Sequence, residues 1–148
     1  MRRIRWRIWA ASAYGNSGRN SVYSSAMETP KRVLVVDDEP GIGHVLRIKL
    51  KMAGFDVITT TSGAEAIELV RTKKPDIVLL DILMPDVTGF DVLKSVRTFS
   101  SVPIVVFTAR QEIVEIALKN GANDSVGKPF DPEQLVAKIK QLLSSSAP

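Results

Sequence analysis

Residues 33–40 read VLVVDDEP, so four apolar residues run directly into three adjacent acidic residues and a proline. A short run of Val and Leu is typical of a β-strand that is buried on both faces. Two more stretches have this form: VLLDILMP at 78–85 and PIVVFTA at 103–109. Each apolar run ends in a side chain that carries oxygen, which is Asp81 in the second stretch and Thr108 in the third. This repetition predicts a parallel sheet whose strands end in polar side chains at one edge.

Short β-rich runs alternate with helical patterns from residue 31 onward. The predicted strands are 32–36, 56–60, 76–80, 103–107 and a weaker 124–126. The first predicted helix has apolar residues at i, i+3 and i+4 spacing and ends at Gly54; these residues are Ile42, Val45, Leu46, Leu50 and Ala53. A second helix begins after Ser62 as its N-cap, and three more are predicted at 89–98, 111–120 and 132–143. Five βα repeats predict an α/β fold with helices on both faces of the sheet.

The composition fits one globular domain and excludes several kinds of site. The chain has 148 residues, of which 45% are hydrophobic, and this is enough for a full core. It has no cysteine, which excludes disulfides and thiolate metal sites, and its single histidine, His44, argues against a His-rich zinc site. No apolar run reaches the roughly 18 residues of a membrane-spanning helix. We therefore expect no membrane span and a cytoplasmic location.

The positive net charge of +4 has its origin near the N-terminus. Residues 1–26 carry five arginines and no acidic residue, whereas the rest of the chain carries 15 basic and 16 acidic residues. We expect residues 1–27 to form a basic, disordered extension and residues 28–146 to form the domain. A transit peptide or a basic arm that contacts membrane or RNA is an alternative for the extension. The near-neutral domain gives no electrostatic reason to expect direct binding to nucleic acid.

The ends of the predicted strands carry a set of residues with related chemistry. Asp37 and Asp38 follow the first strand, Asp81 the third, Thr108 the fourth and Lys128 the fifth. Alone, each residue has an ordinary structural explanation, such as a helix cap, a turn or a surface charge. Together, at neighbouring strand ends, they predict a site in which carboxylates bind a hard cation such as Mg²⁺ beside an ammonium group.

The segments that carry these residues resemble the receiver domain of two-component response regulators, of the single-domain, chemotaxis-regulator-like type. The resemblance rests on VDDE at 36–39, DIVLLDILMPDVTGFDVL at 76–93, PIVVFTA at 103–109 and GANDSVGKPF at 121–130. It covers residues 31 to 143 and implies a flavodoxin-like, doubly wound sheet of five parallel strands in the order 2-1-3-4-5.

The resemblance also implies a role for each residue of the site. Asp81 is the expected phosphoacceptor, which takes a phosphoryl group from a sensor histidine kinase or a phosphotransfer protein. Asp37, Asp38 and Asp81, with the backbone carbonyl of Leu83, are expected to hold Mg²⁺. Lys128 is expected to place its positive charge beside the phosphoryl group. The protein is then a signalling phosphoprotein in a phosphorelay and not an enzyme that acts on other substrates.

The expected switch region contains Thr108 and Ser125. The hydroxyl of Thr108 is expected to bind a phosphoryl oxygen, and Pro129 is expected to follow a cis peptide bond. Receivers commonly have an aromatic residue or histidine where this chain has Ser125, and a Thr or similar residue where it has Gly127. These differences put readout through an aromatic side chain in doubt. Residues 111–143 are the expected face for a downstream protein target, and a homodimer on phosphorylation is possible.

Three alternatives to a phosphorylated receiver deserve weight. A receiver-like adaptor could bind its partners without phosphorylation, which the full set of site residues argues against and Ser125 slightly favours. A transcription regulator would need a DNA-binding segment, and no helix-turn-helix follows the last residues, LLSSSAP. A phosphatase of the haloacid dehalogenase type would need an Asp-x-Asp motif at the first strand, where this chain has adjacent acidic residues.

Overall fold

The structure is a computed structural model that describes residues 29–145. The expected extension, residues 1–27, lies outside the described residues. The chain divides between Pro30 and Lys31, and the elements below all belong to the second unit.

Five strands and five α-helices alternate along the described residues. The strands are β1 Arg32–Val36, β2 Asp56–Thr60, β3 Ile77–Asp81, β4 Ile104–Thr108 and β5 Asp124–Gly127. The helices are α1 Pro40–Met52, α2 Gly63–Lys73, α3 Gly89–Arg97, α4 Val114–Lys119 and α5 Pro132–Ser145, with a 3₁₀ turn at Gln111–Ile113 before α4. Strands β3 and β4 each lie one residue later than predicted, and the helix predicted at 111–120 is divided into the 3₁₀ turn and α4.

All five strands are parallel and lie in the order β2-β1-β3-β4-β5, which confirms the predicted fold. The register pairs Val36 with Leu80, Asp81 with Phe107 and Thr108 with Gly127. Because these pairs lie at the carboxyl ends of their strands, the residues that follow β1, β3, β4 and β5 meet at one edge of the sheet.

The core consists of two apolar layers, one on each face of the sheet. Side chains alternate between the faces along a strand, so Val33 and Val35 belong to one layer and Leu34 and Val36 to the other. Helices α1 and α5 cover the first layer, and α2, α3 and α4 cover the second. This double cover explains why β3 and β4 are apolar at almost every position.

Local signals fix the starts of several helices. The Ser62 side chain accepts a hydrogen bond from the Glu65 backbone N–H at 3.1 Å, as expected for the predicted N-cap of α2. Thr88 and Asp91 form a reciprocal capping box at the start of α3. That cap anchors the loop that leaves β3, directly after Asp81. None of the described helices is long and apolar enough to cross a membrane.

Val45 is one of the apolar residues whose spacing predicts α1, but it does not lie on the buried face of that helix. Val45 is 46% exposed, whereas Gly43, Leu46 and Leu50 form the buried face. The helix carries apolar residues on its outer side as well, since Ile48 is also exposed. The spacing therefore predicts the helix correctly, but it assigns Val45 to the wrong side.

Candidate functional site

Three carboxylates meet at the carboxyl edge of the sheet. Asp37, Asp38 and Asp81 can each offer one oxygen so that these oxygens all lie within 4.8 Å of one another. Asp37 and Asp81 are almost completely buried, and Asp38 is half-buried. The backbone holds Asp37 in place, because its N–H donates to the carbonyl of Thr60 at 3.1 Å and its Oδ1 accepts from the N–H of Glu39 at 2.7 Å. Such a group of carboxylates is stable only if positive charge lies close to it.

Lys128 provides that positive charge from the end of β5. Its Nζ lies 3.0 Å from Asp37 Oδ2, 3.4 Å from Asp81 Oδ2 and 3.9 Å from Glu39 Oε1. The Lys128 side chain is 17% exposed, so the contacts to Asp37 and Asp81 are largely shielded from water. The Lys128–Pro129 peptide bond is cis, which is the isomer that the resemblance implies. One ammonium group is thus shared by three acidic side chains.

The electrostatic state of the site follows from burial and from these contacts. The pKa of Asp81 is raised to about 6: burial and the charge of Asp37 raise it, and together they outweigh Lys128 and the hydrogen bond from the Leu83 N–H, which lower it. Burial lowers the pKa of Lys128, but its hydrogen bond to Asp37 and the attraction of the two aspartates outweigh burial and raise that pKa above its usual value. Lys128 therefore stays charged. The positive charge near Asp81 is too small to offset the burial of its carboxylate, so the pKa of Asp81 stays above its usual value.

The donor set suits a hard divalent cation. Mg²⁺ binds carboxylate oxygens and keeps several water or phosphate ligands, so two or three convergent carboxylates at a partly open edge fit its preference. A single ammonium group leaves excess negative charge among Asp37, Asp38 and Asp81, which a dication would offset. The backbone of Leu83 is next to this group, because its N–H donates to Asp81 Oδ1 at 3.2 Å. The residues present therefore fit Mg²⁺, while the use of the Leu83 carbonyl as a ligand stays a prediction.

Thr108 lies at the end of β4 and is buried. Its carbonyl accepts from the backbone N–H of Lys128 at 2.9 Å, and its Oγ1 accepts from the backbone N–H of Arg110 at 3.0 Å. Among the described residues, no acceptor is assigned to its hydroxyl proton. Ser125 lies in the middle of β5, where its carbonyl accepts from Lys138 Nζ at 3.1 Å. Thr108 therefore lies at the same edge of the sheet as the carboxylates and Lys128, whereas Ser125 is hydrogen-bonded to α5.

Residues 33–140 match the family model of the response regulator receiver domain. The chain belongs to this family. Its receiver domain is a signalling module of two-component systems, and the family implies a kinase as partner and an acidic pocket that binds Mg²⁺.

Relatives and solved structures agree with the family assignment. The chain is 43% identical to the DNA-binding response regulator MtrA of Mycolicibacterium smegmatis over 76% of this chain and 50% of that protein. It is 39% identical to the probable transcriptional regulator ycf27 of Guillardia theta, over 84% of this chain and 50% of that protein. The chain thus spans about half the length of the curated relatives it matches.

Two solved receivers illustrate the likeness in structure. The chemotaxis protein CheY4 of Vibrio cholerae superposes with a TM-score of 0.70 and 31% identity, covering 76% of this chain and 98% of that chain. The activated N-terminal receiver domain of RstA from Klebsiella pneumoniae gives a TM-score of 0.72 and 30% identity, with coverage of 76% and 98%.

The sequence did not point to two residues that touch the site of this receiver domain. A Cβ atom on Gly89 would overlap the carbonyl oxygen of Asp81 and lie 2.5 Å from the Cα of Ile82, so only glycine fits there without a backbone shift. The ring of Phe107 lies beneath Lys128, with Nζ 4.8 Å from its centroid. Gly89 directly follows Thr88, the N-cap of α3, which is recognisable in the sequence. A glycine at such a position could have indicated a close contact with backbone. Phe107 lies in an apolar run and carries no such signal.

Proposed function

We propose that Asp81 accepts a phosphoryl group from the phosphohistidine of a sensor histidine kinase or a phosphotransfer protein. A carboxylate oxygen of Asp81 attacks phosphorus, the bond from phosphorus to the imidazole nitrogen breaks, and the imidazole keeps the electron pair. The product is an acyl phosphate on Asp81. The observation that carries the proposal is the group of three carboxylates with Lys128 Nζ 3.4 Å from Asp81 and 3.0 Å from Asp37.

The other residues of the site have separate roles in this transfer. Asp37 and Asp38, with Asp81 and the carbonyl of Leu83, would hold Mg²⁺. When bound, Mg²⁺ would reduce the repulsion between a carboxylate and an anionic phosphoryl group. Lys128 offers a compact charge to the same phosphoryl oxygens.

Thr108 is the proposed link between phosphorylation and a change of shape. Its buried hydroxyl can donate a hydrogen bond to a phosphoryl oxygen, which would draw the segment after β4 toward Asp81. We propose residues 111–143 as the face that binds a downstream protein. Ile116 and Leu118 are exposed apolar residues on α4 within this face. We also propose that phosphorylation favours a homodimer and that the protein is located in the cytoplasm.

Intact-mass measurement after incubation with acetyl phosphate and Mg²⁺ tests the phosphoacceptor. We expect the wild type to gain one phosphoryl group and Asp81→Asn to gain none. Asp86→Asn is a matched control, because Asp86 is exposed in the same loop and its left-handed backbone suits Asn equally well. Labelling of Asp81→Asn, or labelling in excess EDTA, would contradict the proposal.

The proposed receiver domain covers residues 28–146, with residues 1–27 as an extension that the reaction does not need. A chain that begins at Met27 should therefore be labelled at the rate of the full chain and melt within a few degrees of it. A large loss of melting temperature would show that the extension stabilises the domain.

An adaptor that works without phosphorylation is the second candidate. It is favoured by Ser125, because receivers commonly use an aromatic side chain at this position to report the state of the site. An adaptor would bind its target equally well before and after treatment with acetyl phosphate, whereas a switched receiver would not. MtrA is named as DNA-binding, so the expectation that this chain makes no direct contact with nucleic acid stays a prediction.

A further inference from the structure

Strand alternation and register place one aromatic ring among the charges of the site. Asp81 of β3 is paired with Phe107 of β4, and neighbouring residues in paired strands point to the same face of the sheet. Asp37 continues the alternation of Val33 and Val35 in β1, and this face is the one covered by α1 and α5. Phe107 is fully buried there. The ring of Phe107 and the two buried carboxylates therefore belong to one side of the sheet at the same edge.

Two residues of the turn after β5 contact this ring. Lys128 Nζ lies 4.8 Å from the centroid of Phe107. The ring of Phe130 meets Phe107 edge-on, with centroids 6.0 Å apart and an angle of 82° between the ring planes. The Lys128 ammonium group thus lies close to the carboxylates of Asp37 and Asp81 and also to the ring of Phe107.

We propose that Phe107 is a positioning residue that holds the ammonium group of Lys128 between Asp37 and Asp81. This inference rests on the proposed phosphorylation of Asp81, in which Lys128 must meet the incoming phosphoryl group. The face of an aromatic ring carries partial negative charge and attracts a cation, and the attraction grows when water is excluded. An aliphatic side chain of similar size fills the same space but does not attract the charge.

Lys128 needs such a constraint because other positions are open to it. Lysine carries its charge on a flexible four-carbon stem, and Glu39 Oε1 lies only 3.9 Å from its Nζ. The Glu39 side chain is 67% exposed, so a lysine that moves toward it gains water and leaves the phosphoacceptor. The Phe107 ring stabilises the inner position, in which Nζ is within 3.4 Å of Asp81.

A double-mutant cycle tests whether Phe107 acts through Lys128. The measured quantity is the rate of Asp81 labelling by acetyl phosphate at saturating Mg²⁺ in the wild type, Phe107→Leu, Lys128→Ala and the double variant. We expect Phe107→Leu to slow labelling about three- to tenfold in the wild-type background and by less than about twofold when Lys128 is absent. The affinity for Mg²⁺, measured by titration, should stay within about twofold of wild type in Phe107→Leu. A purely structural role would slow labelling equally in both backgrounds.

A second measurement covers the case in which Phe107→Leu does not fold or Lys128→Ala is not labelled. Phenylalanines with one, two or three ring fluorines at position 107 keep the shape and progressively weaken the attraction of the ring face for a cation. The labelling rate should fall stepwise along this series. Phe99→Leu is the matched control, because Phe99 also stacks on a cation, Arg71 at 4.1 Å, outside the site. Its labelling rate should equal that of the wild type.

Equal slowing by Phe107→Leu with and without Lys128, or an unchanged rate along the fluorinated series, would overturn the role of Phe107. Failure of the proposed function gives a different result. In that case the wild type is not labelled, or Asp81→Asn is labelled as well, and both proposals fall together.

Discussion

Substitution of the phosphoacceptor should stabilise the metal-free protein. Asp81 is almost completely buried, faces the charge of Asp37 and shares Lys128 with two other acidic residues. Its pKa is about 6 against an ordinary value of 3.8, mainly because burial penalises the charged form. Asp81→Asn removes that charge and keeps the shape of the side chain, so the variant should unfold at a higher temperature than the wild type at neutral pH.

The size of the effect follows from linkage between ionisation and folding. One pKa unit corresponds to about 1.4 kcal/mol, so ionised Asp81 destabilises the fold by about 3 kcal/mol at most. The amide of Asn also requires hydrogen-bond partners, and we therefore expect about half of this, roughly 1.5 kcal/mol. For a domain of this size that corresponds to a gain of about 5 °C in melting temperature.

The pH dependence of stability follows from the direction of the pKa shift of Asp81. Below pH 3.8 Asp81 is protonated in the folded and unfolded states, and its charge costs nothing. Between pH 3.8 and 6 the unfolded state loses this proton while the folded state still holds it, so the stability of the wild type falls relative to Asp81→Asn until the folded state is ionised as well. The difference between the two proteins should be small near pH 4 and reach its full size above pH 7.

Thermal unfolding in EDTA at several pH values measures this difference. Asp86→Asn is the control, because it removes an exposed carboxylate from the same loop. Added Mg²⁺ should raise the melting temperature of the wild type more than that of Asp81→Asn, since a ligand stabilises the state that binds it. An equal or lower melting temperature for Asp81→Asn at pH 7.5, or a gain independent of pH, would refute this account of the charge.

Three further predictions concern the loops around the phosphoacceptor. Asp38→Asn should weaken Mg²⁺ binding about tenfold or more, whereas Lys128→Ala should leave it intact or tighter, and a titration that gives the reverse order would contradict the assigned roles. Gly89→Ala should cost about 1–3 kcal/mol of stability and slow labelling, because its methyl group would overlap the backbone of Asp81 and Ile82. Gly41→Ala is the control and should cost nothing, because the added methyl would meet none of the described residues beyond its own turn of helix within 4 Å. Leu83→Asn should speed loss of the phosphoryl group about three- to tenfold after removal of the donor, because an amide can orient the attacking water and an exposed leucine cannot, and an unchanged decay would exclude this mechanism.

The sequence predicted the architecture because burial on both faces leaves a plain pattern. Strands β1, β3 and β4 are covered by helices on both faces and are apolar almost throughout, so they could be located to within one residue. The errors lie where the pattern is ambiguous. Val45 belongs to a helix with apolar residues on two sides, and spacing alone does not tell which side faces the sheet. The segment at 111–120 begins with a 3₁₀ turn, and its periodicity is too short to distinguish this turn from α4.

The site was predictable to the extent that it depends on the ends of parallel strands. Asp37, Asp81 and Lys128 could be brought together from sequence, because strands in a parallel sheet end at a common edge. The contacts of Gly89 and Phe107 could not, since they depend on the register of β3 against β4 and on the path of the loop after Asp81. The register between two strands that lie 20 or more residues apart cannot be read from the sequence of either strand alone.

The charges at the sheet edge indicate why Thr108 and Lys128 are the residues that would respond to phosphorylation. Asp37, Asp38 and Asp81 carry three negative charges against the single positive charge of Lys128, and a bound divalent cation would bring this group close to neutrality. On the proposed function, phosphorylation replaces the one charge of Asp81 with nearly two on the phosphoryl oxygens. The new charge has to be met by donors that the fold can move. Lys128 already lies within 3.4 Å of Asp81, and the backbone of Lys128 is hydrogen-bonded to the carbonyl of Thr108. On the proposed function, a shift of either residue would be passed to the other, and through the hydrogen bond of Thr108 Oγ1 with the N–H of Arg110 it would reach the segment that leads into α4.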